Sequence, residues 1–336
     1  MAYSKPLLSS KYFPSFKDNM PTLNGKTFII TGTTSGTGKV ASMALAEKGA
    51  RVFMLNRKSS RSEKAQQSIS TAFPNADVRT IECDLQSFAS VQQAAEQLQE
   101  LCSDSGIYAL INNAGIMAMP DEATADGFDT QMQTNHLSHF LLTRELYPLL
   151  EKGADTHGEA RIINHSSVAR LSVKRLDSKY LEKNGGNLGG NGSSMIFSGA
   201  RWVRYGQTKH ANAAFTAALH RKLESKSSKV KALVAHPGFA NTELQVTTSA
   251  FGGMASWTSW FTKYVSQSEE DGTLGILSCA VLPEAKSGEF WGPGSGMNAM
   301  KGEAKPFPLE KQYDNPEIHE LIWSKSCEAI GKDFSI

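Results

Sequence analysis

The chain has 336 residues and is 40% hydrophobic, which suits one large α/β domain or two small ones with a substantial core. A net charge of +2 without a long basic run removes the electrostatic case for nucleic acid as a partner. Cys83, Cys102, Cys279 and Cys327 are scattered and lack C-x-x-C spacing, which argues against a zinc site or disulfide framework and for a reducing, cytoplasmic setting.

Residues 1–24 read as a polar extension without the continuous apolar core of a secretory signal or membrane anchor. Lys26 to Thr31 is a short apolar run, read as a buried strand. It enters a turn containing Gly32, Thr34, Ser35, Gly36, Thr37 and Gly38, and a helical pattern follows from Lys39 to Lys48. Arg51 to Asn56 is a second strand. This βαβ order lets backbone N–H groups approach a pyrophosphate at the helix N-terminus. The spacing is G-x-x-x-G-x-G, not the common G-x-G-x-x-G, so the turn alone is a weak signal. After Asn56 come Arg57 and Lys58, where a carboxylate would serve the ribose of NAD. Two cations there suit a 2′-phosphate and favour NADP(H), although they could simply solvate a loop.

The alternation continues. Ser62 to Ala72 reads as a helix, Asp77 to Cys83 as a strand ending at Asp84 and Leu85, and Ser87 to Leu101 as a helix capped by Ser87. Ile107 to Ile111 is a strand running into Asn112, Asn113, Ala114 and Gly115. A helical pattern from Gly127 to Leu150 contains Asn135. Glu159 to Asn164 is a strand that ends at Ser166 and Ser167, and Val230 to Ala235 is a strand that ends at His236, Pro237 and Gly238. Strands alternating with helices imply a doubly wound Rossmann fold, a mostly parallel sheet of about seven strands. Ligands bind beyond the carboxyl ends of such strands, and most of these polar clusters lie at such an end.

Tyr205 and Lys209 are four residues apart on a helix reaching about Leu223, so they share a face. A lysine beside a tyrosine favours the phenolate and draws its pKa down from about 10. The pair could then exchange a proton with an alcohol or carbonyl oxygen. Alone, the spacing is common in ordinary helices.

Two stretches fit the alternation less well. Residues 170–200 form an insertion whose glycine-rich middle suggests mobility; it reads as a tolerated insertion or a flap over the site. Residues 245–265 are rich in aromatic residues and serine, and read as a lid over an apolar substrate, a core helix or a patch in peripheral contact with a membrane. The domain reading is a single unit over 25–300 with a C-terminal extension at 301–336. Sequons at Asn164 and Asn191 are short motifs, and the first falls in an expected buried strand.

In this order, Thr31-Gly32-x-x-x-Gly36-x-Gly38, Asp84-Leu85, Asn112 to Gly115, Asn135, Ser167, Tyr205-x-x-x-Lys209 and Pro237-Gly238 resemble the short-chain dehydrogenase/reductase family over roughly Lys26 to Trp291. Thr134 to Phe140, Tyr205 to Asn212 and Gly288 to Pro293 are most similar to its retinol dehydrogenase-like and protochlorophyllide reductase-like branch. Asn113-Ala114-Gly115 departs from protochlorophyllide reductases. Thr37 replaces a usual aliphatic residue, the interval from Ser167 to Tyr205 is long, and the N-terminal anchor common in the retinol-type branch is not visible.

The resemblance implies a carbonyl–alcohol oxidoreductase. Tyr205 would be the acid or base, Lys209 would lower its pKa and hold the nicotinamide ribose, Ser167 would hold the substrate oxygen, and Asn135 would hold a water relaying protons to Lys209. Asp84 and Leu85 would meet the adenine, Asn113 to Gly115 its ribose, and Pro237 and Gly238 the nicotinamide. Thr242 completes the expected cofactor-binding set. The substrate would be a small apolar carbonyl compound or alcohol, and homodimers and homotetramers are common in the family. A silent NADP-binding regulator on the same fold is the competing class, since fold does not dictate function. An epimerase or dehydratase on a related fold is the enzymatic alternative.

Overall fold

Strand β1 (Thr27–Thr31) sends alternate side chains into two apolar layers, as the period of a strand requires. Ile29 joins Phe53, Leu110 and Ile162 in one layer; Phe28 and Ile30 join Val52, Met54, Ile111 and Ile163 in the other. Both faces of the sheet are therefore covered, which accounts for the unbroken apolar runs of its central strands. The computed structural model describes residues 8–192, 198–240, 248–252, 266–295 and 300–336.

Helix α1 (Phe13–Asp18) precedes β1. Then follow α2 (Gly36–Glu47), β2 (Arg51–Asn56), α3 (Ser60–Ala72), β3 (Val78–Glu82), α4 (Phe88–Leu101) and β4 (Ala109–Asn112). A short α5 (Thr130–Met132), a π-helical turn (Gln133–Leu137) and α6 (Ser138–His157) lead to β5 (Ala160–His165). After 3₁₀ turns at Val168–Ser172 and Ser178–Leu181 come α7 (Ala200–Ser225), β6 (Val230–Ala235), α8 (Glu269–Val281), β7 (Glu289–Ser295), β8 (Lys301–Pro308) and α9 (Pro316–Ile330).

The sheet order is β3-β2-β1-β4-β5-β6-β7-β8. The first seven strands are parallel and β8 runs antiparallel to β7. The order reverses between β1 and β4, and the crevice above that point is where a doubly wound sheet holds its ligand. Helices α2 and α8 pack together on one face; α4 packs on α6, and α9 on α7, on the other. Among the described residues no helix is long and apolar enough to cross a membrane.

Three local features differ from the sequence expectations. Helix α2 begins at Gly36, not Lys39, so two of the turn's glycines form its first, unsatisfied turn. The helix expected over Gly127 to Leu150 begins at Thr130, widens into the π turn around Asn135 and continues to His157, where Gly158 caps it at φ +82°. Within the insertion, the described glycine-rich stretch is pinned. The Asp121 carboxylate accepts from the amides of Leu188 and Gly190 at 3.0 and 2.6 Å, and Arg204 donates to their carbonyls at 3.2 and 2.9 Å. Composition alone cannot reveal these long-range partners.

Candidate active site

The site is built where β1 to β6 end. At the end of β1, Gly32 has φ +70° and Gly38 packs against it; a Cβ on Gly38 would lie 2.3 Å from the Gly32 carbonyl oxygen and 2.5 Å from Asn113 Nδ2. Neither contact is tolerable, so the turn needs both glycines. Asn113 ties the turn to β4. Its Nδ2 donates to the Thr31 carbonyl at 2.9 Å, its Oδ1 accepts from Thr37 Oγ1 at 2.8 Å, and His165 Nδ1 lies 3.1 Å from that same Oδ1.

A cavity of about 840 Å³ runs across these strand ends. Thr34, Ser35, Gly36, Arg57, Lys58 and Arg61 form one end, and Asp84, Leu85, Asn113, Ala114 and Gly115 line the middle. At the other end are Ser167, Tyr205, Lys209, Pro237 and Gly238, with Met117, Val168, Ala169, Trp202, Phe239 and Met300 around them. Gly32 and Thr37 also line it; Gly38 lies beneath as packing. Thr242 lies outside the described residues, as do most positions of the 245–265 segment.

The chemistry-bearing end rests on α7. Buried Tyr205 and Lys209 share its inner face, with Lys209 Nζ 5.8 Å from the centre of the tyrosine ring. Lys209 Nζ donates to the His165 carbonyl at 2.9 Å, and Asn212 Nδ2 donates to the same oxygen at 3.0 Å. The neighbouring serines part company here. Ser166 turns its hydroxyl back to the Lys209 carbonyl at 2.7 Å, whereas Ser167 faces the Tyr205 phenol and accepts from the Ala169 amide at 3.2 Å.

Asn135 does not head for Lys209 directly. Its Oδ1 accepts from Ile116 N at 2.8 Å, and its Nδ2 donates to the Ile116 carbonyl and to Thr208 Oγ1, each at 2.9 Å. Gly115 passes between Asn135 and Lys209, where a Cβ would lie 3.2 Å from Asn135 Oδ1 and 3.3 Å from Lys209 Nζ. The π turn presents Asn135 in this position, and such turns recur at functional sites.

Electrostatics depart from the simple tyrosine–lysine expectation. Burial pushes the Tyr205 phenol up to about 12, against the Ser167 hydrogen bond that favours the phenolate. The same desolvation brings the Lys209 ammonium down to about 7. At 5.8 Å from the ring the lysine does not outweigh the loss of water.

Sequence reasoning passed over Arg61 and Trp202. Arg61 lies on the first turn of α3, four residues after Arg57, and its guanidinium approaches Ser35 Oγ at 3.5 Å. Trp202 precedes Tyr205 by one helical turn, and the two rings meet edge to face at 6.0 Å. Met117, Phe239 and Met300 carry no local signal, because only the fold brings their loops to the cavity. Among the described residues no cluster of three or more histidine, cysteine or acidic side chains could hold a metal ion.

The glycine turn, the helix N-terminus behind it and a cavity that spans the switch point define a dinucleotide-binding oxidoreductase fold. The family description "short chain dehydrogenase" matches residues 26–180. Human retinol dehydrogenase 13 is 34% identical over 325 residues, covering 92% of this chain and 86% of that protein. A solved structure of an uncharacterized protein from Mycobacterium paratuberculosis has a TM-score of 0.72 at 27% identity, covering 98% of this chain and all of that one (100%). The Pseudomonas aeruginosa RhlG/NADP active-site complex shares the fold, with a TM-score of 0.58 at 23% identity over 79% of this chain and 92% of that one. This chain belongs to the short-chain dehydrogenase/reductase family, in its retinol dehydrogenase-like branch, and is an oxidoreductase of a family that uses NAD(P).

Proposed function

We propose that this protein is an NADPH-preferring reductase of uncharged, apolar aldehydes or ketones, able to run the reverse oxidation of the alcohol. One observation carries the reading. A single cavity joins a cationic end, at Arg57, Lys58 and Arg61, to an apolar wall around Tyr205.

The residues fit the dinucleotide. The side-chain-free cradle of Gly32 and Gly36 admits a close backbone approach, and the free amides at the start of α2 suit a pyrophosphate. Arg57 and Arg61 would grip a 2′-phosphate bidentately, with Lys58 beside them. Asp84 and Leu85 would hold the adenine, Asn113 to Gly115 its ribose, and Pro237 and Gly238 the nicotinamide; Thr242 is assigned to the same set. When bound, the nicotinamide supplies the hydride.

The protein's own part is to position the substrate and move a proton. Ser167 holds the substrate oxygen and steadies the charge that develops there. Tyr205, kept protonated at neutral pH by its burial, is in the form needed to donate its phenolic proton to that oxygen. Lys209, buried beside it, holds ribose hydroxyls and stabilises the phenolate once the proton has left. Asn135 fixes the backbone at Ile116 and, through Thr208, the turn of α7 that carries Tyr205. Met117, Ala169 and Trp202 exclude water from the reacting carbonyl. All four cysteines are free, which accords with a cytoplasmic setting.

The test is turnover by the purified protein on a panel of apolar aldehydes and ketones, with NADPH and NADH in parallel. NADPH-preferred turnover supports the reading. Firm NADPH binding without turnover on any compound moves it to the silent regulator.

A further inference from the structure

His139 is buried on the first turn of α6, outside the cavity lining, and bonds in two directions at once. Its Nε2 lies 2.9 Å from Thr31 Oγ1, at the end of β1, and its Nδ1 lies 3.0 Å from the main-chain carbonyl of Asn135, in the π turn. The surroundings decide where its proton sits. Thr31 Oγ1 accepts from the amides of Asn113 and Ala114, at 3.0 and 2.9 Å, so its only hydrogen is left for His139 Nε2. The Asn135 carbonyl can only accept, so Nδ1 carries the ring proton. One neutral tautomer satisfies every partner.

We infer that His139 is a positioning residue that locks the strand ends carrying Asn113 and Ala114 to the turn carrying Asn135. The inference rests on the site proposed above but concerns a residue given no role there. The bridge joins two halves that otherwise belong to different strands and helices. On one side, Thr31 orders the backbone expected to line the adenine ribose. On the other, Asn135 holds Ile116 and Thr208, and Thr208 Oγ1 donates to the Tyr205 carbonyl at 2.8 Å. A shift of Asn135 would therefore reach the phenol. Burial, together with the nearby Lys209 ammonium, brings the His139 imidazole down to about 4, while the Asn135 carbonyl opposes this. The bridge is thus neutral at neutral pH and adds no cation beside Lys209.

The experiment compares His139→Leu, Thr31→Val and Thr31→Ser with the wild type. Hydrogen exchange is followed in segments 112–114 and 133–140, and kcat, KM and the NADPH dissociation constant are measured per NADPH-binding site. His139→Leu and Thr31→Val should each loosen both segments together, and lower kcat roughly 10- to 100-fold through displaced reacting groups. KM should change less than kcat. Thr31→Ser keeps the hydroxyl and should restore both readouts. A packing role for His139 would leave segment 112–114, whose amides reach Thr31 and not Asn135, unchanged in His139→Leu, and that result overturns the inference. If His139→Leu does not fold, the contrast between Thr31→Val and Thr31→Ser decides alone: equal exchange in segment 133–140 overturns the bridge. If the wild type turns over no carbonyl, the proposed function fails while the exchange measurement still decides the bridge.

Discussion

Thr37 Oγ1 donates a 2.8 Å hydrogen bond to Asn113 Oδ1, joining the first turn of α2 to the end of β4. An aliphatic residue, usual at this position in the resembling family, could not make it. Asn113 Oδ1 also faces His165 Nδ1 at 3.1 Å, so the carboxamide is held from both sides. Thr37→Val should remove about 1 kcal/mol of hydrogen bonding and weaken NADPH binding by about 5-fold. Titration of NADPH should show this loss, with kcat nearly unchanged. An unchanged dissociation constant would mean that the remaining bonds of Asn113, to Thr31 and His165, are sufficient.

Tyr205→Phe keeps the ring that packs on Trp202 and removes only the phenolic oxygen. Loss of the proton donor should lower kcat by roughly 10²- to 10⁴-fold. Binding of NADPH should stay within about 3-fold, well below one hydrogen bond to a charged group. Full activity in this variant would sink the proton-transfer role.

Arg57→Ala and Arg61→Ala test the cationic end. Each should weaken NADPH binding by about 10-fold or more, the scale of a hydrogen bond to a charged group. NADH, without the 2′-phosphate, should bind each variant as it binds the wild type. Equal losses for both nucleotides would remove these arginines as phosphate readers.

Trp202 belongs to a small apolar cluster with Met117, Ala118 and Tyr205, separate from the larger cores of the sheet. Trp202→Ala should lower kcat/KM for flat aromatic aldehydes by about 10-fold relative to short aliphatic ones, since a stacked aromatic contact and its buried area are lost together. The ratio between the two substrates is the readout, because overall stability also falls. An unchanged ratio would place the substrate elsewhere in the cavity.

Lys209 gives the protein a pH signature. Its ammonium is brought down to about 7 by burial, from 10.5 in the unfolded chain. Between these values the unfolded chain holds more protons, so stability rises with pH. The contribution is complete above the unfolded value and is lost as pH falls through about 7. Urea unfolding of the wild type relative to Lys209→Met, measured without nucleotide from pH 7 to 10, should show the wild type gaining. A constant difference would mean that the lysine is hydrated in the folded state.

At the other end of the chain, Asp271 accepts from Ser10 Oγ and from the amides of Lys11, Tyr12 and Phe13, at 2.7 to 2.9 Å. Asp271→Ala should destabilise the fold by about 1–3 kcal/mol, through several unmet donors. Protease cleavage should concentrate before α1. Unaltered proteolysis would show that the apolar face of α1 is sufficient.

Much of this architecture was legible beforehand. Apolar runs at Lys26 to Thr31, Arg51 to Asn56 and Val230 to Ala235 name buried parallel strands because both faces of such strands are covered. Gly32, Gly36 and Gly38 mark a turn where side chains cannot fit. The i, i+4 spacing of Tyr205 and Lys209 places them together because α7 is regular there. Short-range geometry determines each of these, and residue order is enough to express it. What the tertiary structure alone decided depends on contacts between distant segments. It turned Ser166 back onto α7 and Ser167 toward the phenol, widened the helix at Asn135, and brought Arg61, Trp202 and Met300 to one cavity. It also reversed the expected direction of the tyrosine shift. Desolvation depends on everything packed around the ring, and no local spacing of residues records that.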